Sequence, residues 1–280
     1  MTATYHIPKC GLMEPVEEDE LDLDPRGLIK MFEPPHPKAT YVMGIDPTVG
    51  ITGWDRNLRT QDDYKTDNAA IEIIRVGNAH TPDVQVCEYA APIDPEDLAD
   101  VANMLGRLYT GRADDNQCLC IIEVYPGPGL LTQRRMINEY HYYSHFIWKY
   151  LDTLTSKPTN SFGWTSTPKS VRDLWIRASR HIKMHNIRLN SPWLVEEMCD
   201  CEMDMIKMAG KAAYGKHDDR VRAIMMAIWA AHDWSQALDL SDQHGVEKGD
   251  KMPNWQSSDI TLDAMMDAWE NKFADLQEDS

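Results

Sequence analysis

Residues 212–230 read AAYGKHDDRVRAIMMAIWA, and this stretch largely decides the fold. Its apolar side chains recur at the spacing of one helical face, which predicts a helix that buries a stripe in the core. Two carboxylates, Asp218 and Asp219, stand where this helix begins. Acids at this point are typical either of an N-cap that interacts favourably with the helix dipole or of a functional site. The predicted stripe consists of Val221, Ile224, Met225, Ile228 and Trp229.

Residues 210–217 imitate a nucleotide-binding P-loop, since they spell G-x-x-x-x-G-K-H. A P-loop needs a Ser or Thr hydroxyl after its Lys and a buried strand before its first Gly. His217 stands where that hydroxyl should be, and residues 198–209 are polar, rich in Met and interrupted by charges. We therefore predict that the chain binds no ATP here and uses no nucleotide cofactor.

The composition of the 280 residues is that of a globular protein, because 42% of them are hydrophobic. The chain has no run of about 18 apolar residues, and its N-terminus lacks a basic region followed by an apolar one. These features predict a soluble cytoplasmic protein, in the host cell if it is viral, with no membrane partner. The six cysteines are too sparse for a disulfide scaffold, and Cys118 and Cys120 lie in an apolar run that favours core packing over zinc binding.

The charge is distributed unevenly along the chain. A net charge of −17 opposes nonspecific binding of nucleic acid on average. Residues 130–190, however, carry ten Lys or Arg against three Asp or Glu. This basic middle either presents a phosphate-binding face or belongs to helices with solvated basic sides, and charge alone favours neither interpretation.

Three segments are expected along the chain. Residues 1–39 contain the acidic run EEDELDLD and the stiff EPPHPK, which predict a linker or N-terminal arm. Residues 40–238 are expected to form the folded domain. Residues 239–280 form an acidic tail in which 262–273 have the spacing of an amphipathic helix, either folded back on its own domain or docked on a partner.

The folded domain alternates apolar strands with helices. YVMGID (41–46), AIEIIRVG (70–77) and VQVCEYA (84–90) predict an antiparallel meander, and CLCIIEVYPGPG (118–129) predicts a buried strand. Asp94 is expected to cap a helix that starts at Pro95. Further elements are an aromatic helix at about 130–149, a basic helix beginning near Lys169, the segment 187–198 and the final helix after Asp218.

Asp46 and Glu123 each lie near the carboxyl end of an apolar strand. A carboxylate in an apolar strand is costly to desolvate unless it is paired, protonated or bound to metal. Because open α/β sheets place sites at the carboxyl ends of their strands, these acids and the pair at the helix start are expected to converge. Oxygen ligands of this kind suit Mg²⁺ or Mn²⁺, and two such ions can catalyse phosphodiester hydrolysis. Taken singly, each acid is equally typical of a turn, an ion pair or a cap.

The pattern resembles the ribonuclease H-like, or retroviral integrase-like, nucleases, and most of all the nuclease domain of phage terminase large subunits. The resemblance covers about residues 40–235 and is carried by YVMGIDP, TDNAAIEIIRVGN, CIIEVYPGPG, FGWTSTPKS and AAYGKHDDRVRAIMMAIWA. It implies a mixed central α/β sheet flanked by helices. It also implies that Asp46, Glu123 and the acids Asp218 and Asp219 supply the catalytic metal ligands. Helical spacing places Asp218 nearer the apolar stripe, whereas the resemblance favours Asp219, so both stay candidates. Asp67 matches a recurrent acid of the family and is equally typical of a turn cap.

The chain departs from this family in two respects. The terminase large subunit joins the nuclease to an ATPase motor, for which this sequence supplies no motif. The chain is then either an isolated nuclease segment or a nuclease whose motor is on another chain, and the linker-like first 40 residues favour the isolated segment. Family members often carry another acid in the last helix, where this chain has Arg222. The resemblance further implies double-stranded DNA, a terminase ATPase domain, the small terminase subunit and the portal as partners.

Together these observations predict a two-metal-ion endonuclease that cuts double-stranded DNA with low sequence specificity during genome packaging. Asp46 would bridge two Mg²⁺ or Mn²⁺ ions, and His217 is either an accessory residue that orients a carboxylate or phosphate, or a surface or capping residue. The alternatives are a Holliday-junction resolvase, recognised by preference for four-way junctions, and a packaging or scaffold module without activity. The residues expected to hold DNA phosphates are Arg134, Arg135, Lys169, Arg172, Lys211 and Lys216.

Overall fold

The computed structural model describes residues 3–6, 22–23, 26–48, 68–78, 80–111, 117–125, 127–151, 158–204 and 209–243. Asp67 and the amphipathic stretch 262–273 lie outside these residues. The chain divides into two compact units, Met1–His232 and Asp233–Ser280, and the strands among the described residues lie in the first. Within the described ranges, no helix combines the length and the apolar character needed to cross a bilayer.

A nine-stranded sheet forms the centre of the first unit, in the order β10-β7-β4-β5-β6-β3-β1-β2, with β11 paired to β6. Two small hairpins, β8–β9 and β12–β13, lie apart from it. The strands are β1 Ala3–His6, β2 Asp22–Leu23, β3 Ile29–Met31, β4 Tyr41–Asp46, β5 Ala69–Arg75, β6 Asp83–Ala91, β7 Leu119–Tyr125, β8 Ile147–Leu151, β9 Pro158–Phe162, β10 Trp164–Thr165, β11 Ile187–Arg188, β12 Cys201–Asp204 and β13 Ala209–Ala212.

The helices begin at side-chain caps where the sequence supplies them. Asp94 accepts a hydrogen bond from the Glu96 amide at 2.9 Å, as predicted, and Thr167 and Ser170 form a capping box. Ser191 caps the short helix that follows. The helices are α1 Pro95–Leu108, α2 Gly129–Asn138, α3 Pro168–Lys183, α4 Pro192–Cys199 and α5 Asp219–Gln243.

The central strands follow the predicted pattern. β4, β5 and β6 form the antiparallel meander, and β7 lies parallel to β4 on its other side. All six residues of β4 are buried, as expected for a strand with a neighbour at each edge and packing on its faces. The sheet extends past β6 through β3, where Ile29 and Met31 are buried, so this part of the predicted linker or arm adds a strand to the sheet.

The aromatic segment after β7 corrects one sequence expectation. A helix was predicted over about 130–149, but α2 ends at Asn138 and His141 adopts a φ of 51°. The backbone beyond it runs beside β7, because the Cys120 amide donates to the Ser144 carbonyl and the Phe146 amide donates to the Cys120 carbonyl. These hydrogen bonds favour extended backbone over a longer helix.

The main core lies between the sheet and helices α3, α4 and α5. It joins Val42, Ile74 and Ile121 of the sheet to the apolar residues of these helices. Helix α5 is buried on more than the predicted stripe, since Ala223, Met226, Ala227 and Ala230 are also buried. A helix that is apolar on most sides belongs inside a core, and this position brings its first turn to the edge of the sheet.

Candidate active site

Strand register places the two predicted strand acids side by side. Ile45 of β4 pairs in parallel register with Ile122 of β7, so the next residues, Asp46 and Glu123, are neighbours at the carboxyl edge of the sheet. Neighbouring strands lie about 4.8 Å apart, which brings the two side chains within reach of each other. Asp46 is 7% exposed and the side chain of Glu123 is 13% exposed.

The third acid comes from the start of α5. Asp219 lies near enough to Asp46 to act on its ionisation, and its Oδ2 accepts a hydrogen bond from the Asn68 amide at 3.2 Å. That amide directly precedes β5, the strand paired to β4. The backbone of the meander therefore helps to hold Asp219 beside the carboxyl edge.

The fourth acid, Asp218, has contacts of its own. Its Oδ2 accepts a hydrogen bond from the Ala212 amide at 3.3 Å, and its Oδ1 lies 3.9 Å from the Nε of Arg222. The Nδ1 of His217 lies 3.6 Å from Asp219. The structure thus places Asp46, Glu123 and Asp219 near one another, with Asp218 beside Arg222.

The electrostatics of the group are those of crowded carboxylates. Burial raises the pKa of Asp46 well above its usual range, and the neighbouring Glu123 and Asp219 raise it further, while Arg222 opposes the shift. The Nη1 of Arg222 lies 3.1 Å and 3.3 Å from the two carboxylate oxygens of Glu123. Although burial acts to lower it, the pKa of Arg222 is raised by Asp46, Glu123 and Asp218, so the guanidinium stays charged.

A second network of charges, missed by the sequence analysis, fixes the first turn of α5. Arg220 contacts Glu88 of β6 at 3.1 Å, and both its guanidinium and its backbone amide donate to Glu197 of α4. Glu72 lies opposite Glu88 on the neighbouring strand, and the side-chain Nε2 of Gln85 donates a hydrogen bond to it at 2.7 Å. The sequence did contain a signal for this network, because Glu72 and Glu88 each lie inside an otherwise apolar strand.

The predicted phosphate-binding residues lie in different surroundings. Lys169 and Arg172 are exposed on α3, whose start follows the strand that pairs with β7 at Glu123. Arg134 is exposed on α2, whereas Arg135 makes ion pairs of 3.1 Å with Asp100 and with Glu139. Lys211 is exposed on β13, and Lys216 lies 2.9 Å from Asp200.

The segment that imitates a P-loop forms a different structure. Gly210 lies in β13, which pairs antiparallel with β12 in a two-stranded, partly exposed hairpin. A P-loop follows a buried strand of a central sheet, so the sequence argument against this motif agrees with the structure.

These elements together define the fold of the first unit. A meander continued by a parallel strand, with α5 packed across it, forms the mixed α/β sheet flanked by helices of the ribonuclease H-like class. The chain is similar in particular to the large terminase nuclease from thermophilic phage G20c with bound magnesium, with a TM-score of 0.50 and 11% sequence identity over 74% of this chain and 89% of that chain. The predicted resemblance is confirmed at the level of the fold.

Other comparisons complete this result. The structure of the same phage nuclease with bound cobalt has a TM-score of 0.49 and 12% identity, covering 74% of this chain and 89% of that one. No protein-family model matches the chain, and no curated protein sequence matches it significantly.

The acid group has the donor atoms of a metal site but not its finished geometry. Among the residues that the structure describes, no three His, Cys, Asp or Glu side chains are arranged as a finished metal site, and the Arg222 guanidinium lies on Glu123. The donor atoms nevertheless fit a hard divalent cation, because Asp46, Glu123 and Asp219 offer only carboxylate oxygens. Burial, followed by the charge of Glu123, raises the pKa of Asp46, so a bound cation would favour its ionised form.

Proposed function

We propose that the chain is a divalent-metal-dependent endonuclease that cuts double-stranded DNA with low sequence specificity, as the nuclease part of a phage terminase large subunit. The observation that carries the proposal is the meeting of Asp46, Glu123 and Asp219 at the carboxyl edge of a ribonuclease H-like sheet. Carboxylates crowded in this way without enough positive charge are typical of sites that bind metal.

Asp46, Glu123 and Asp219 would hold Mg²⁺ or Mn²⁺, with Asp218 available at the flank for a second ion. Such ions supply an activated water at neutral pH and stabilise the oxygen that leaves the scissile phosphate. No side chain of the chain is then required as a nucleophile. The protein holds the three carboxylates close together, and the stability of the fold offsets their mutual repulsion and desolvation.

The surrounding residues position these acids and restrict water. The Asn68 and Ala212 amides fix the directions of Asp219 and Asp218. A narrow crevice beside Glu123 and Arg222 is lined mainly by apolar side chains, which lowers the local dielectric and strengthens each charge interaction in it. The crevice also contains Ser166, Trp164, Val171, Leu174, Trp175, Met225 and Met226.

The basic side chains outside the crevice would bind the DNA backbone. Lys169 and Arg172 are exposed on α3, and Lys211 and Lys216 lie on the segment that leads into Asp218. Contacts of this kind hold phosphates without reading bases, which is the physical reason for the proposed low sequence specificity. The ATPase motor, the small terminase subunit and the portal would be the packaging partners.

Nicking of supercoiled plasmid tests the proposal directly. The purified chain is incubated with EDTA, Mg²⁺ or Mn²⁺ beside Asp46→Asn and a control, Asp97→Asn, which removes an exposed acid from α1. We expect cleavage only with metal, reduced more than about 100-fold in Asp46→Asn and unchanged in Asp97→Asn. Cleavage in EDTA, or equal cleavage by both variants, would refute the proposal.

Mapping the cut ends tests the substrate class. Ends spread over many sequences of linear duplex support the proposed activity. Cuts at one fixed sequence would contradict low specificity, and a strong preference for four-way junctions would instead indicate a junction resolvase.

A further inference from the structure

Arg222 lies among the acids of the candidate site and points back into it from the first turns of α5. One nitrogen, Nη1, lies 3.1 Å and 3.3 Å from the two oxygens of Glu123, and Nε lies 3.9 Å from Asp218. The side chain of Arg222 is 31% exposed, and both residues beside it in the helix are buried. The backbone at this position is therefore fixed by packing, whereas the long side chain keeps a route to solvent.

Both oxygens of Glu123 face the same guanidinium nitrogen. A divalent cation bound to Glu123 would need at least one of these oxygens and would carry the same sign of charge as Arg222. At separations of a few ångströms, in surroundings shielded from water, the repulsion between two such cations is large. Full contact of Arg222 with Glu123 and binding of a metal ion to Glu123 therefore oppose each other.

We propose that Arg222 is an internal counter-cation, which offsets part of the negative charge of the acid group without metal and competes with the divalent ion for Glu123. The inference rests on the proposed function, since it concerns the same site. It assigns Arg222 a positioning role: it holds Glu123 at the carboxyl edge until the ion arrives, and it weakens the affinity of the site for that ion. Metal and Arg222 are thus alternative partners of one carboxylate.

A structural role alone leads to another expectation. If Arg222 only stabilised the fold, its removal would lower stability and would leave metal affinity unchanged or weaker, because the ligands would be less well placed. Competition instead predicts tighter metal binding by a less stable protein. A gain in affinity is therefore the measurement that separates the two roles.

Calorimetric titration of the full chain with MnCl₂, in the absence of DNA, tests the inference. Arg222→Gln removes the charge, Arg222→Lys keeps a charge that cannot span Glu123 and Asp218 together, and Arg180→Gln removes an exposed arginine of α3 as a control. We expect Mn²⁺ to bind about tenfold more tightly to Arg222→Gln than to the unchanged chain. Arg222→Lys should be intermediate and Arg180→Gln unchanged.

The unfolding temperatures of the same proteins, with and without Mn²⁺, give a second test of the inference. Arg222→Gln should unfold at a lower temperature without metal and show a larger increase on adding Mn²⁺. Equal or weaker Mn²⁺ binding by Arg222→Gln overturns the inference while leaving the proposed nuclease intact, whereas no Mn²⁺ binding by any of the proteins overturns both. If Arg222→Gln does not fold, the affinity of Arg222→Lys decides, with tighter binding than the unchanged chain as the expected result.

Discussion

Gly44 of β4 lies in direct backbone contact with α5: a Cβ placed on Gly44 would be 2.1 Å from the carbonyl oxygen of Ala223. The same Cβ would be 2.9 Å from the Ala227 amide nitrogen. Alternate residues of a strand share one face, so Gly44 and Asp46 both face this helix. The missing side chain lets α5 approach the strand closely enough for its first turn to reach Asp46.

The first prediction concerns this contact. Gly44→Ala must push α5 away from β4, because backbone atoms cannot swing aside, and we expect it to lower the free energy of unfolding by about 1–3 kcal/mol or more. Cleavage should fall at least about tenfold even where the protein is folded, since Asp219 moves with the helix away from Asp46. Urea denaturation and plasmid nicking measure the two effects. A variant as stable and as active as the unchanged chain would show that the close contact does not determine the position of Asp219 relative to Asp46.

The second prediction separates the two acids at the start of α5. Asp219 raises the pKa of Asp46, whereas Asp218 accepts a hydrogen bond from the Ala212 amide and lies near Arg222. We expect Asp219→Asn to reduce cleavage more than about 100-fold and Asp218→Asn to reduce it less than about tenfold. Initial rates of nicking at saturating Mn²⁺ measure both variants. The reverse order would make Asp218 the principal ligand.

Much of this site was predictable, because the acids interrupt patterns that are otherwise clear. Asp46 and Glu123 stand out in apolar strands, and the meander and parallel strand around them follow from hydrophobicity alone. Two acids beside each other at a helix start do not reveal which one faces the sheet. That distinction depends on the Asn68 hydrogen bond, which joins residues 151 positions apart.

The sequence was less informative where tertiary contacts determine the backbone conformation. Residues 140–148 are so rich in aromatic side chains that they satisfy helical and extended spacing alike. In the structure Tyr140 and Tyr142 are buried while His141 and Tyr143 are exposed, and the φ of 51° at His141 is incompatible with a continuous right-handed helix. Tyr142 packs against Gly106, where a Cβ would lie 2.2 Å from its hydroxyl oxygen, and only the folded α1 presents that glycine.

The third prediction concerns Arg220, which links the start of α5 to Glu88 and Glu197. Arg220→Met leaves two largely buried carboxylates without their cation, so we expect a loss of about 3–5 kcal/mol in the free energy of unfolding. Urea denaturation at pH 7 measures it. The paired variant Arg220→Met with Glu197→Gln should recover part of the loss, because one uncompensated charge is removed. A loss below about 1 kcal/mol in the single variant would mean that solvent reaches these carboxylates.

The fourth prediction uses Glu72, which is fully buried opposite Glu88. Burial, followed by the charge of Glu88, raises the pKa of Glu72 well above its usual range. A raised pKa means that the folded state keeps a proton that the unfolded state releases, so this group's contribution to stability falls as pH rises. Glu72→Gln cannot ionise and should therefore gain stability relative to the unchanged chain between pH 5 and pH 9. Parallel pH series of urea denaturation check this, and a constant difference between the two proteins would contradict it.

The fifth prediction concerns the buried His145, whose Nδ1 lies 3.2 Å from the Cys120 sulfur. Burial lowers the pKa of His145 to about 4. Below the ordinary pKa of about 6.5, His145 binds a proton in the unfolded chain but stays neutral in the folded chain. The free energy of unfolding therefore falls as pH falls. The loss from this residue should reach about 2 kcal/mol between pH 7.5 and pH 5. His145→Gln should lack that part of the pH dependence, whereas His80→Gln, which changes an exposed histidine, should keep it. Urea denaturation of the three proteins at both pH values measures the difference, and identical losses would show that His145 is accessible to protons in the folded state.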